Sequence, residues 1–143
     1  MRLSLHCHHH WPQQPQLLAD LAKIFSPEQL QQLLAAVMAG GCLLTARFNE
    51  RELAGALLQV DASQAQLSLL QVREVTRRRG VGRFLVDEAA HMAAASGASA
   101  LQLVGVAGAP AEAFAQACGC QPPAYWLALT KPAINPSSAS SPS

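Results

Sequence analysis

The sequence predicts one α/β domain built on a mixed, mostly antiparallel sheet with flanking helices. Three observations carry that expectation. Strand-like and helix-like periodicities follow one another in the order β-α-α-β-β-β-α-β-α-β. Three consecutive strand runs are joined by short polar links, as in an antiparallel meander. The last of them leads through a glycine-containing turn into a helix and on to an apolar strand, the order of a parallel crossover. With 143 residues, half of them hydrophobic and 13% charged, the chain can bury a sizeable core but is too short for two full domains.

Each element has its own signal. Residues 2–8 alternate, which puts Leu3, Leu5 and Cys7 on one face of a half-buried strand. Over residues 13–25, Leu17, Leu18, Leu21, Ile24 and Phe25 recur at helical spacing. A second helix starts with Ser26 as N-cap and Pro27 at the first helical position, carries Leu30, Leu33, Leu34 and Val37, and stops at Gly40-Gly41. Strands follow at 42–48, 52–60 and 66–72, linked by Asn49-Glu50-Arg51 and by Asp61-Ala62-Ser63-Gln64. A helix over 83–96 places Phe84, Leu85, Ala89 and Met92 on one face. Residues 100–106 read as a buried strand, 110–118 as a short helix closed by Gly119, and 125–130 as a last strand. The domain spans residues 1–132, and the Ser/Pro-rich stretch 133–143 has almost nothing to bury and reads as a disordered tail.

Charge narrows the function. Ten Lys+Arg against nine Asp+Glu leave a net charge of +1, too balanced for a protein that coats nucleic acid by bulk charge. The average hides a local knot: Arg73, Arg77, Arg78, Arg79 and Arg83 fall together, so the expected partner is a small anion. No run approaches the ~20 consecutive apolar residues of a membrane-spanning helix. A soluble cytoplasmic protein without membrane or nucleic-acid partners is expected.

The knot sits where a strand turns into a helix. Helix N-termini expose N–H groups without intrahelical partners and carry partial positive charge, which suits phosphate. Gly80 and Gly82 permit close backbone approach, and the arginines add donors with a phosphate-matching fork. The turn fits a pyrophosphate, yet it is neither a Walker loop nor a Rossmann fingerprint.

Arg77-Arg78-Arg79-Gly80-Val81-Gly82 resembles the Gln/Arg-x-x-Gly-x-Gly/Ala signature of the GCN5-related N-acetyltransferase (GNAT) superfamily. The resemblance implies the acyl-CoA N-acyltransferase-like fold and a bound coenzyme A (CoA) or acetyl-CoA. Carried over by position, Leu70, Gln71 and Val72 would hold the pantetheine arm, while Thr76, Arg77, Arg78, Arg79, Gly80, Val81, Gly82 and Arg83 would hold the phosphates. A narrower likeness covers Ala46-Arg47-Phe48-Asn49-Glu50-Arg51 and residues 72–82, which are similar to the aspartate 1-decarboxylase maturation factor family (PanM/PanZ). Those proteins promote self-cleavage of the decarboxylase zymogen in an acetyl-CoA-dependent way and so regulate pantothenate and CoA biosynthesis. By that resemblance Arg47 and Asn49 would contact the aspartate 1-decarboxylase.

The alternative is an active N-acetyltransferase with an unidentified amine acceptor. Many such enzymes place a Tyr general acid in Phe-Tyr-x-x-x-Gly-Phe, but the matching run here is Phe114-Ala115-Gln116-Ala117-Cys118-Gly119-Cys120. Alanine cannot donate a proton, which favours a regulator and leaves no catalytic residue assigned. Cys118, Cys120 and Tyr125 are the substitutes to test, and Glu74 is either a general base or an ion-pair partner of the arginines. The four cysteines read as buried or idle thiols, because the chain needs no disulfide staples. His6, His8, His9 and His10 beside Cys7 invite a metal reading. Alternation sends His6 and His8 to the face opposite Cys7, so no metal site is expected beyond adventitious nickel or zinc.

Overall fold

A computed structural model of the chain describes residues 2–9, 14–73, 80–106 and 108–129. Its element order matches the expectation: β1 (Ser4–His8), α1 (Pro15–Ala22), α2 (Pro27–Met38), β2 (Cys42–Phe48), β3 (Arg51–Asp61), β4 (Gln64–Val72), α3 (Val81–Ala95), β5 (Ala100–Leu103), α4 (Ala109–Ala117) and β6 (Trp126–Ala128). The tail at 133–143 lies outside the described residues, as do His10 and the loop residues 74–79.

One six-stranded sheet runs β1 to β6 in chain order. Every neighbouring pair is antiparallel except β4 and β5, which α3 joins as a parallel crossover. The hairpin links are tighter than the sequence suggested. Asn49 and Glu50 alone connect β2 to β3, with φ of 51° and 64°, and this left-handed pair matches the twist of the strands it joins.

Alternation sorts the core into two layers. Leu43 and Leu57 face α1 and α2, where they pack with Leu17, Leu21, Phe25, Leu33 and Val37. Leu44, Ala46, Ala56 and Leu58 face α3 and meet Val81, Leu85, Val86, Ala89 and Ala93. A capping box starts α2: Gln29 N donates to Ser26 Oγ at 3.2 Å, and Ser26 N donates to Gln29 Oε1 at 2.9 Å. Phe25 lies against Gly55 so closely that a Cβ there would come within 2.8 Å of its ring.

Two irregularities shape the far end of the sheet. The β3–β4 register shifts between Gly55 and Leu57, and Leu69 opposite this shift takes a left-handed φ of 55°. The β4–β5 pairing covers only Gln64–Leu67 against Ala100–Leu103, and a last bond runs from Val104 N to Leu67 O at 2.9 Å. Beyond that point, among the described residues, β4 pairs only with β3, and the two parallel strands part.

The cysteine expectation needs a correction. Cys118 and Cys120 are buried free thiols, but Cys7 and Cys42 form a disulfide. Cys7 pairs with Leu44, so Cys42, two residues back, is its diagonal neighbour on the same face, with Cα atoms 6.4 Å apart. Spacing along the chain carries no sign of this contact, which depends on strand register. Among the described residues, no helix is long and apolar enough to cross a membrane.

Candidate functional site

The parting of β4 from β5 opens a cleft of about 590 Å³. Leu69, Leu70 and Gln71 form one wall, Leu103 to Val106 the other, and Phe114 of α4 closes one side. Because Gln71 pairs with Gly55 and Val72 with Ala54, the backbone of β4 is tied to β3 on one edge and faces the cleft with the other. A chain molecule carrying amide groups can lie along that edge as an added strand would.

Next to the cleft, Gly80 takes a left-handed φ of 76° and starts α3. Phe84 N closes the first helical bond onto Gly80 O, so the amides of Val81, Gly82 and Arg83 have no intrahelical acceptor. Val81 is core and Arg83 is exposed. Gly82 allows the helix start to touch the cleft wall, since a Cβ there would stand 3.3 Å from the Phe114 ring and 3.4 Å from Val72 Cγ2. The structure thus brings together Leu70, Gln71, Val72, Gly80, Val81, Gly82 and Arg83. Glu74, Thr76, Arg77, Arg78 and Arg79 lie outside the described residues.

Ala115 is fully buried in the core behind Phe114. Neither Cys118, Cys120 nor Tyr125 lines the cleft. Burial pushes both thiols up, Cys118 to about 11. Among the described residues, no ionisable side chain lines this cleft.

The opposite end of the sheet is polar inside. Glu52, only 2% exposed, accepts from Thr45 Oγ1 at 2.6 Å and from Arg47 Nε at 2.9 Å. The Thr45 hydroxyl has then spent its proton, so His8 Nε2, 2.9 Å away, must be the donor to it. Burial alone would raise the Glu52 carboxyl, but His8 Nε2 3.9 Å away and the hydrogen bonds from Thr45 and Arg47 outweigh it and hold the group at about 2. Asp20, buried on α1, accepts from the Glu52 backbone N–H at 3.1 Å, from Arg51 Nε at 2.9 Å and from Gln16 Nε2 at 3.1 Å. The two carboxylates clamp both strands of the β2–β3 hairpin, with Asn49 exposed at its tip.

Sequence reasoning singled out Arg47 and Asn49 as expected partner contacts and did not anticipate the buried cluster of His8, Asp20, Thr45 and Glu52 behind them. One signal was available: Asp20 falls between Leu17 and Leu21 on the apolar face of α1, where an unpaired acid would be costly. The register also supplies what the histidine run lacked. Cys42 joins Cys7 on the face opposite His6 and His8, and His9 follows it there with Nε2 3.5 Å from Cys7 Sγ.

The family model described as the acetyltransferase (GNAT) domain of PanZ matches residues 6–124. This chain belongs to the PanZ family. The PanD regulatory factor of Escherichia coli K12 is 44% identical over 72 residues, which cover 48% of this chain and 53% of that protein. The PanD regulatory factor of Salmonella typhimurium LT2 is 41% identical over 88 residues, covering 62% and 66%. The PanZ-family match thus spans between half and two-thirds of the length of these curated relatives. Among solved structures, the E. coli N-acetyltransferase-type protein YhhK, determined in solution bound to coenzyme A, is 33% identical with a TM-score of 0.68, over 91% of this chain and all of that one. A GNAT-family protein from Desulfovibrio desulfuricans shares the fold at a TM-score of 0.72 and 16% identity, over 90% of this chain and all of that one. The mixed six-stranded sheet of the PanZ-family chain is the GNAT fold.

Proposed function

We propose that this protein binds acetyl-CoA or CoA in the β4–β5 cleft and, in that form, acts as a regulator of aspartate 1-decarboxylase, promoting self-cleavage of the zymogen. The observation that carries the reading is the meeting of an apolar cleft, walled by an unpaired strand edge, with the N-terminus of α3. Pantetheine would lie along Leu70, Gln71 and Val72, its amides facing backbone groups. The diphosphate would sit at Gly80–Arg83, where helix amides and the neighbouring arginines Arg77, Arg78 and Arg79, with Thr76, supply donors.

Two further observations favour a regulator over an acetyltransferase. The described cleft walls hold no proton donor for a departing thiolate, and Ala115 occupies the position of the usual acid. The hairpin carrying Arg47 and Asn49 is braced from inside by Glu52 and Asp20, which gives a partner a rigid edge to dock on. The names of the relatives, PanD regulatory factors, agree with that partner.

Titration calorimetry of the full chain with the decarboxylase zymogen tests the reading. Binding is expected with acetyl-CoA, to weaken strongly without it, and to fall in Asn49→Ala. Equal affinity with and without acetyl-CoA overturns it. Robust release of free thiol from acetyl-CoA across a panel of amines establishes the acetyltransferase instead.

A further inference from the structure

We infer that Cys7, His9 and Cys42 form a zinc site whenever the Cys7–Cys42 pair is reduced. The three donor atoms lie within 4.8 Å of one another on one face at the open end of β1 and β2. A tetrahedral zinc with Zn–S of ~2.3 Å and Zn–N of ~2.0 Å sets S···N edges near 3.6 Å and S···S edges near 3.8 Å. Cys7 Sγ and His9 Nε2 already stand 3.5 Å apart, and the two cysteines sit diagonally across the strand pair with Cα atoms 6.4 Å apart. Closing the triangle around the ion therefore needs side-chain rotation and no change of strand register.

The chemistry of the donors selects the metal. Two thiolates neutralise a divalent ion, and two sulfurs with one imidazole favour a thiophilic cation over magnesium or calcium. Cys7 and His9 are exposed, which leaves the fourth position to water. His6 and His8 point to the other face, and His8 is already engaged with Thr45, so the site differs from a simple histidine chelate. The disulfide and the ion are mutually exclusive because each uses the same two sulfurs. A phosphine reductant converts disulfide, phosphine and water into two thiols and phosphine oxide, and zinc then displaces the two thiol protons.

The experiment uses the full chain, reduced with a phosphine and held without oxygen. Cobalt serves as the spectroscopic probe and zinc is titrated against a chromophoric chelator. One cobalt per chain is expected, with thiolate-to-cobalt charge transfer and the strong bands of tetrahedral coordination, displaced by one zinc. Cys42→Ser should abolish the charge-transfer band, and His9→Ala should weaken zinc by at least about tenfold, the loss seen even for groups that only support a ligand. Cys118→Ala should leave the spectrum unchanged. The inference is overturned by octahedral cobalt without a thiolate band, or by equal zinc affinity of the disulfide form, which would mark binding by the histidine run alone. Should Cys42→Ser fail to fold, alkylation of the reduced natural chain decides: zinc must protect Cys7 and Cys42, and equal labelling with and without zinc overturns the site.

Discussion

The two ends of this sheet are built on opposite principles. At the β4–β5 end the site is made by backbone. A left-handed Leu69, a register shift at Gly55 and a short parallel pairing leave a strand edge and an apolar hollow, and no described side chain lining that hollow ionises. At the β2–β3 end a two-residue turn follows a register shift between Ala46 and Arg47, and the rigidity comes from buried charge: Glu52 holds Arg47 and Thr45, and Asp20 holds Arg51, Gln16 and the Glu52 backbone N–H. A ligand recognised by backbone and shape needs few distinctive residues, whereas a protein edge held by ion pairs depends on each one. Substitutions at the hairpin end should therefore leave CoA binding intact, whereas substitutions at the cleft end should reach zymogen binding only through the acetyl-CoA that it requires.

The largest effect is expected at Glu52. Glu52→Ala leaves Arg47 without its buried partner and removes the acceptor of the Thr45 hydroxyl. Breaking one side of a fully buried pair costs about 3–5 kcal/mol, and because Arg47 is 32% exposed and regains water the fall in unfolding free energy in urea should lie at or below the lower end of that range. If the variant remains folded, CoA affinity should be unchanged while zymogen binding falls. A parallel loss of both would break the division between the two ends.

Acid should reveal the same group next. Glu52 is held at about 2 against an ordinary value of 4.5, so its stabilisation is complete above pH 4.5 and is lost as pH falls toward 2. The shift corresponds to about 3 kcal/mol. Urea midpoints measured at intervals through that window should fall steeply in the natural chain. In Glu52→Gln they should lose much of this slope while starting lower at neutral pH.

At the cleft end, Gly82→Asp should weaken CoA binding about a hundredfold or more, because placing a carboxylate against a diphosphate costs several kcal/mol and ~1.4 kcal/mol is tenfold. Gly82→Ala separates charge from bulk: its methyl group meets Phe114 at 3.3 Å, a contact that ring can relieve by shifting slightly. Calorimetry on both variants should show a much smaller loss for alanine. Equal losses would mean that packing at Phe114, and not phosphate at α3, governs the cleft.

Local and long-range contacts differ in how far they are written in the chain. The ligand edge at Leu70–Val72 is implied only by the GNAT resemblance of the turn at Gly80-Val81-Gly82, whereas the order of all ten elements and the crossover follow from local periodicity and from that turn, since each is coded within a few adjacent residues. What sequence reading missed is coded between distant ones. Asp20 meets the Glu52 backbone 32 positions away, and Cys7 meets Cys42 only because the register places Cys7 opposite Leu44. Leu69 is the hardest case, because a leucine gives no local hint of a left-handed backbone, and the cleft begins there.

The smallest expected effect tests the tip of the polar end. Asn49 combines an exposed side chain with a φ of 51°, so Asn49→Ala alters two things at once: it removes the amide and strains a backbone that asparagine tolerates. The strain is worth ~1 kcal/mol and should appear as a small fall in stability. Asn49→Gly removes the amide while accepting the same φ without strain, so its backbone cost is absent. If the side chain itself contacts the decarboxylase, both variants should lose zymogen affinity to a similar degree while only alanine shows the strain. If affinity falls in alanine and survives in glycine, the partner reads the shape of the turn, and the polar end would then resemble the cleft in being recognised through its backbone.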